Sequence, residues 1–281
     1  MREKTIKEEV QFSGISLHKG KISNLKLKPL PENSGIVFQY RNHKIPLSPN
    51  VVVNTNMATS IGNGEVEIFT IEHLMSAVWS LGISNLLVEM DSVEPPILDG
   101  SSIQFLQKIE DVGVVEQESR RPIFIIEKEI TIREGDRYVS ISPNREEKFS
   151  IYSKIDFANR VIGVQEFSID IDLDSYRKEI APARTFGFLQ DFERLKSQGL
   201  ALGANLDNVI AVGESEIVNP EGLRFQNEFV RHKILDTIGD LSIIGVDFVA
   251  NYRAFASSHK LNHKLIQKLL SDKSNYRVEY S

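Results

Sequence analysis

EFVRHKILDTIGDLSIIG, residues 228–245, runs directly into VDFVANYRA, residues 246–254. The first stretch carries its apolar residues at helical spacing and ends near a glycine; the second is rich in β-branched and aromatic residues. A long amphipathic helix feeding a strand is therefore predicted. The same order appears earlier in the chain. TIEHLMSAVWSLG, residues 70–82, reads as a helix closed by Gly82, and the strand ISNLLVEM follows it. Around each pair lie short strands and further helices. In the first half these are KISNLKLKPL, GIVFQYRN and HKIPLSPNVVV, then the helix SIQFLQKIEDVG. In the second half they are FIIEKEITI, RYVSISP and FSIYSKIDF, the helix FGFLQDFERLKSQG capped by Gly199, and the helix HKLNHKLIQKLLSD closing the chain. Each half runs from strands to helices, which predicts two α+β domains. The polar stretch EQESRRP, residues 116–122, is read as the turn between them, giving domains at 1–118 and 119–281.

Bulk properties narrow the function classes. The chain has 281 residues, 41% of them apolar and 26% charged, as in an ordinary globular protein. There is no apolar run of about eighteen residues, so no integral membrane segment is expected. The opening MREKTIKEEVQF lacks the apolar centre of an export signal, so a cytoplasmic location is expected. The absence of cysteine excludes disulfides, thiol catalysis and thiolate metal ligands. The net charge of −6 argues against nucleic acid as a partner.

Three fragments carry groups able to do chemistry. His232 and Asp236 stand four apart on the predicted helix, one turn from each other on one face. Both residue types are good zinc ligands, although a surface His–Asp pair is the commoner meaning of such spacing. Glu72 and His73 stand at the start of a helix beside the apolar stripe of Ile71, Leu74, Val78 and Leu81. A carboxylate there suits a general base, but also a helix N-terminus that favours negative charge. Ser258-His259 heads the last helix, either as a proton donor or as a Ser N-cap beside an exposed His. His263 offers a competing HxxxH pair on a Lys-rich face that reads as solvated. His18, after a tight turn, can line a pocket, and His43 reads as an exposed turn residue.

Taken in order, GISLHKG (14–20), TIEHLMSA (70–77), EPPILDGSS (94–102), APARTFGF (181–188), GLALGANLDNVIAV (199–212), EGLRFQNEFVRHKILDTIGDL (221–241) and SSHKLNHKL (257–265) resemble the UDP-3-O-acyl-N-acetylglucosamine deacetylases of Gram-negative lipid A synthesis. The resemblance covers nearly the whole chain. It implies two domains of similar topology whose helices are sandwiched between two β-sheets, each domain with an inserted substructure. The second insert, near residues 187–215, would help to form an apolar tunnel for an acyl chain. Phe186, Phe188, Phe192, Leu195, Leu200 and Leu202 would supply its surface, and core packing explains the same residues equally.

By the same resemblance, His73, His232 and Asp236 would bind Zn2+, with iron(II) able to use the same ligands. Three protein ligands leave an open position, as in catalytic rather than structural zinc sites. Glu72 would be the general base and His259 the general acid, oriented by Asp240. Thr185 would polarise the amide carbonyl and Lys233 would contact substrate. Phe157 would face the uridine, although the following ANRV departs from the family pattern. With Phe186, Phe188 and His18 these complete the implied substrate contacts. The implied reaction removes the N-acetyl group of a UDP-linked acylated glucosamine, and a monomer is expected. Some relatives carry Cys in the segment matching NTNMATSI, residues 54–61; this chain has none.

Overall fold

A computed structural model describes residues 1–280 of the chain. It is an α+β protein with six α-helices among the described residues: α1 (Glu72–Ser80), α2 (Ile103–Val112), α3 (Leu173–Ser175), α4 (Leu189–Ser197), α5 (Glu228–Leu241) and α6 (His259–Leu270). A five-stranded sheet in the first half has the order Val10–Ile15, Ile22–Pro29, Leu86–Met90, Ile36–Tyr40, His43–Pro46. A seven-stranded sheet in the second half is centred on Asp247–Phe255.

The two halves share a theme. Leu86–Met90 follows α1 and runs parallel to Ile36–Tyr40. Asp247–Phe255 follows α5 and runs parallel to both Pro122–Ile126 and Phe149–Asp156. Parallel pairing needs a crossover, and the helices supply it. Alternation fixes the faces: along Phe149–Asp156, Phe149, Ile151, Ser153 and Ile155 are buried and their neighbours are not.

Helices α1 and α5 pack on each other, and α5 and α6 cover the second sheet. One continuous apolar core includes Leu25, Leu74, Val78 and Val88 from the first half and Ile151, Ile238, Tyr252 and Leu265 from the second. The α1–α5 contact is close because residue 239 is glycine. A Cβ on Gly239 would come within 2.1 Å of the Glu72 carbonyl oxygen. Farther along the seam, Trp79 Nε1 donates to the Val246 carbonyl at 2.9 Å. The start of α1 thereby lies against the last turn of α5, and its end is tied to the residue before the following strand.

Three local readings need correction. EQESRRP is not a turn: Val114–Arg120 is a strand, antiparallel to Arg2–Ile6. Val114–Arg120 itself buries no side chain fully, so its polar sequence hides its extended backbone. The phenylalanines of FGF form a short strand, Phe186–Phe188, parallel to Ile210–Val212, and α4 begins only at Leu189. The last helix does not end the fold, because Tyr276–Tyr280 pairs antiparallel with Pro122–Ile126. Each half also carries a small extra sheet, Val52–Asn54 with Ser60–Gly62 and Glu67–Ile68 in the first, and the Phe186–Phe188 pair in the second.

Candidate active site

The α1–α5 seam gathers ionisable groups from both halves. His73 from α1 and His232 and Asp236 from α5 present one ligand atom each, and these atoms lie within 4.8 Å of one another. His73 Nε2 is 3.7 Å and His232 Nε2 3.3 Å from Asp236 Oδ1. The two imidazoles meet edge to face, with centroids 4.9 Å apart. All three residues are buried.

The surroundings prepare each group to be a ligand. His232 Nδ1 lies 3.0 Å from the Ala183 carbonyl oxygen, so it carries the proton and leaves Nε2 as a lone pair. Burial, and then the neighbouring His232 ring, push the His73 imidazole down to about 3, against the pull of Asp236. It is neutral at physiological pH, the form that a cation needs. Burial disfavours the Asp236 carboxylate, but Lys233 and then His232 outweigh it and hold the carboxyl well below the usual range. The Lys233 ammonium takes Asp236 Oδ2 at 2.6 Å, which leaves Oδ1 facing the two rings.

A second set of groups borders the first. Glu72 Oε1 lies 3.8 Å from His259 Nε2. The other ring nitrogen, His259 Nδ1, donates to Asp240 at 2.9 Å. Burial lifts the Glu72 carboxyl to about 8. For His259 burial works the other way, but Asp240 and then Glu72 overcome it, and the imidazolium pKa rises to about 9. A buried acid and a buried base thus face each other beside the triad, the juxtaposition expected where protons are exchanged.

A buried ion pair secures the loop behind the triad. Arg184 Nε donates to Glu228 Oε1 at 2.9 Å, and the Arg184 backbone N–H reaches the same oxygen at 3.0 Å. This clamps residues 183–185, so that the Ala183 carbonyl meets His232 and the Thr185 N–H bonds to the Gly100 carbonyl at 2.8 Å.

The residues singled out in the sequence fall into three groups. Glu72, His73, His232, Lys233, Asp236, Asp240 and His259 form one cluster. Phe157 packs against Phe186 and Phe188, with ring centroids 5.9 and 5.7 Å away, and Phe186 reaches to 6.3 Å from the His232 ring. These rings lie over a smaller apolar cluster that includes Ile155, Ile210 and Phe229. In the 187–215 segment, Leu189, Leu202 and Leu206 are exposed. His18 is buried against that segment, where its Nδ1 accepts the Ala201 N–H at 3.3 Å, and its Nε2 has no partner. His263 is outside the triad, and its Nδ1 is buried rather than solvated. His43 starts a strand and pairs with Glu65 at 3.0 Å.

Sequence reasoning missed Thr59 and Asn262. Asn262 Nδ2 donates to Asp240 Oδ2 at 2.8 Å, and its own Oδ1 accepts from the Tyr252 hydroxyl at 2.6 Å. Its place three residues after His259 was the only available hint. Thr59 carried none, being one hydroxyl in a polar loop.

Comparison with known proteins bears on this geometry. Residues 3–271 match the family model described as LpxC, UDP-3-O-acyl N-acetylglycosamine deacetylase. A UDP-3-O-acyl-N-acetylglucosamine deacetylase of Campylobacter fetus subsp. fetus is 47% identical over 281 residues, covering 99% of this chain and 95% of the relative. The similarly named protein of Sulfurimonas denitrificans is also 47% identical, with the same coverage. That of Nautilia profundicola is 48% identical over 277 residues, covering 98% and 94%.

Proposed function

This chain belongs to the family of UDP-3-O-acyl-N-acetylglucosamine deacetylases, and from that membership we propose that it is a zinc amidase releasing acetate from UDP-3-O-(3-hydroxyacyl)-N-acetylglucosamine in the cytoplasm, the committed step of lipid A synthesis. The observation that carries the reading is the placement of the triad His73, His232 and Asp236 against the Glu72–His259 pair.

The donor set fits zinc: two neutral imidazole nitrogens and one carboxylate oxygen, with no fourth ligand in the group among the described residues. His73 Nδ1 is buried without a protein partner. Its Nε2 is the nitrogen that faces Asp236, 3.7 Å from Oδ1. Bound there, the cation supplies Lewis acidity, lowers the pKa of water toward about 7, and draws Glu72 back toward its ionised form.

Glu72 Oε1 accepts the proton of the attacking water as its oxygen bonds to the acetyl carbon. The Thr185 hydroxyl and the cationic His259 hold the oxyanion that forms. His259 Nε2 then gives its proton to the sugar nitrogen, the C–N bond breaks, and acetate and the free amine leave. Asp240 keeps His259 charged for that transfer. On this reading Phe157, packed against Phe186 and Phe188, is the ring that would meet the uridine, and the exposed leucines of 187–215 would offer apolar surface to the acyl chain.

Metal analysis together with acetate release from the acylated UDP-sugar, with and without chelator, tests this. Turnover that survives complete metal removal, or a metal-loaded protein that releases no acetate, would refute it.

A further inference from the structure

Thr59 stands in the loop between Val52–Asn54 and Ser60–Gly62 and is buried. Each of its polar groups is used within the site. Its backbone N–H donates to Glu72 Oε2 at 3.1 Å. Its carbonyl accepts the N–H of Ile71, the residue before Glu72, at 3.3 Å. Its hydroxyl donates to Asp240 Oδ1 at 2.6 Å, across 181 residues of sequence. A carboxylate only accepts, so the direction of this last bond is fixed.

These contacts close a ring. Glu72 is joined to Thr59, Thr59 to Asp240, Asp240 to His259, and His259 Nε2 faces Glu72 Oε1. Asp240 has two oxygens and three donors: Thr59 on Oδ1, Asn262 on Oδ2, and His259 within reach of both at 3.1 and 2.9 Å. Without the Thr59 hydroxyl, Oδ1 keeps only the longer contact to His259, and the plane against which that ring rests can turn. The backbone N–H of Thr59 also occupies Glu72 Oε2, leaving Oε1 as the oxygen presented to His259.

On the deacetylase reading, from which this follows, we propose that Thr59 is a positioning residue that sets general base and general acid in mutual register, holding Glu72 with its backbone and Asp240 with its hydroxyl. It touches neither substrate nor metal in this role, and acts on His259 only through Asp240.

Thr59→Val keeps the shape and the backbone bonds and removes only the hydroxyl. Acetate release by the zinc-loaded enzyme should show kcat about 10–100-fold lower, the usual effect of losing one hydrogen bond to a charged group. KM and zinc stoichiometry should be unchanged, and Thr59→Ser should restore most of the rate. In an Asp240→Ala background, Thr59→Val should cost less than about twofold more, because the two residues act in one chain. Wild-type kcat in T59V, the same loss in both backgrounds, or a serine variant no better than valine would each overturn the assignment. One readout needs no substrate: the NMR resonance of the His259 Nδ1 proton, hydrogen-bonded to Asp240, should move and exchange faster in T59V but not in T59S. If the wild type releases no acetate, the deacetylase reading fails. Thr59 is then judged on this resonance, and an unmoved signal in T59V rejects it.

Discussion

His259 Nε2 faces Glu72 Oε1 at 3.8 Å, although the two residues stand at the starts of helices in opposite halves of the chain. Neither half holds both the acid and the base. The pair joins α1 to α6 beside the seam between α1 and α5, and most of the expectations below perturb that region.

Replacing Glu72 with Gln should lower kcat by roughly 10²–10⁴-fold, the range for loss of a general base. Zinc content should not change, because Glu72 is not in the His73–His232–Asp236 group proposed to hold the metal. Steady-state kinetics with metal analysis check both points; near-normal turnover would mean that another group takes the proton.

The alkaline side of the rate profile should report His259. Its working form is the cation, held to a pKa of about 9 by Asp240 and Glu72 against burial. Activity should fall as pH rises through that region. In Asp240→Asn the Asp240 charge is gone while burial remains, so the alkaline limb should move to lower pH. A limb that stays in place would show that some other group sets it.

Chelation should lower the melting temperature as well as abolish activity. A ligand that binds only the folded state stabilises it by about 4 kcal/mol at a thousandfold excess over its Kd. His232→Ala, lacking one ligand, should lose most of that metal-dependent shift. Calorimetry with and without zinc reads the difference, and equal shifts in both proteins would remove His232 from the ligand set.

Gly239→Ala should damage stability and activity together. Its Cβ would stand 2.1 Å from a backbone oxygen of Glu72, so α1 and α5 must separate. Overpacking of this kind costs about 1–3 kcal/mol or more. Thermal unfolding and kcat should both fall, whereas a well-folded, fully active variant would show that the seam is more compliant than its geometry implies.

Shortening the acyl chain should weaken kcat/KM steeply. At about 0.8 kcal/mol per buried methylene, removing four should cost on the order of a hundredfold. A flat response across chain lengths would mean that the apolar surface of 187–215 does not receive the lipid.

Local features of the sequence revealed a good part of this. The change from helical to strand period at residues 228–254 predicted α5 and the strand after it, because each has one face committed to the core. The four-residue step from His232 to Asp236 put two candidate ligands on one face for the same geometric reason. His73 is different. Nothing near it in sequence points to α5, and only the resemblance joined it to the pair. Thr59 and the Arg184–Glu228 clamp were invisible because each acts through a long-range contact with no local pattern. Val114–Arg120 misled in the opposite way, since this strand has no fully buried side chain and so no apolar alternation to read.

The glycine contact between α1 and α5 also fixes when in the life of the molecule a working centre appears. Synthesis delivers the amino-terminal half first. A nascent chain on the ribosome holds a single member of the triad until α5 emerges, more than half the chain later. A product cut short before residue 228 is accordingly an inert fragment, not an unregulated hydrolase.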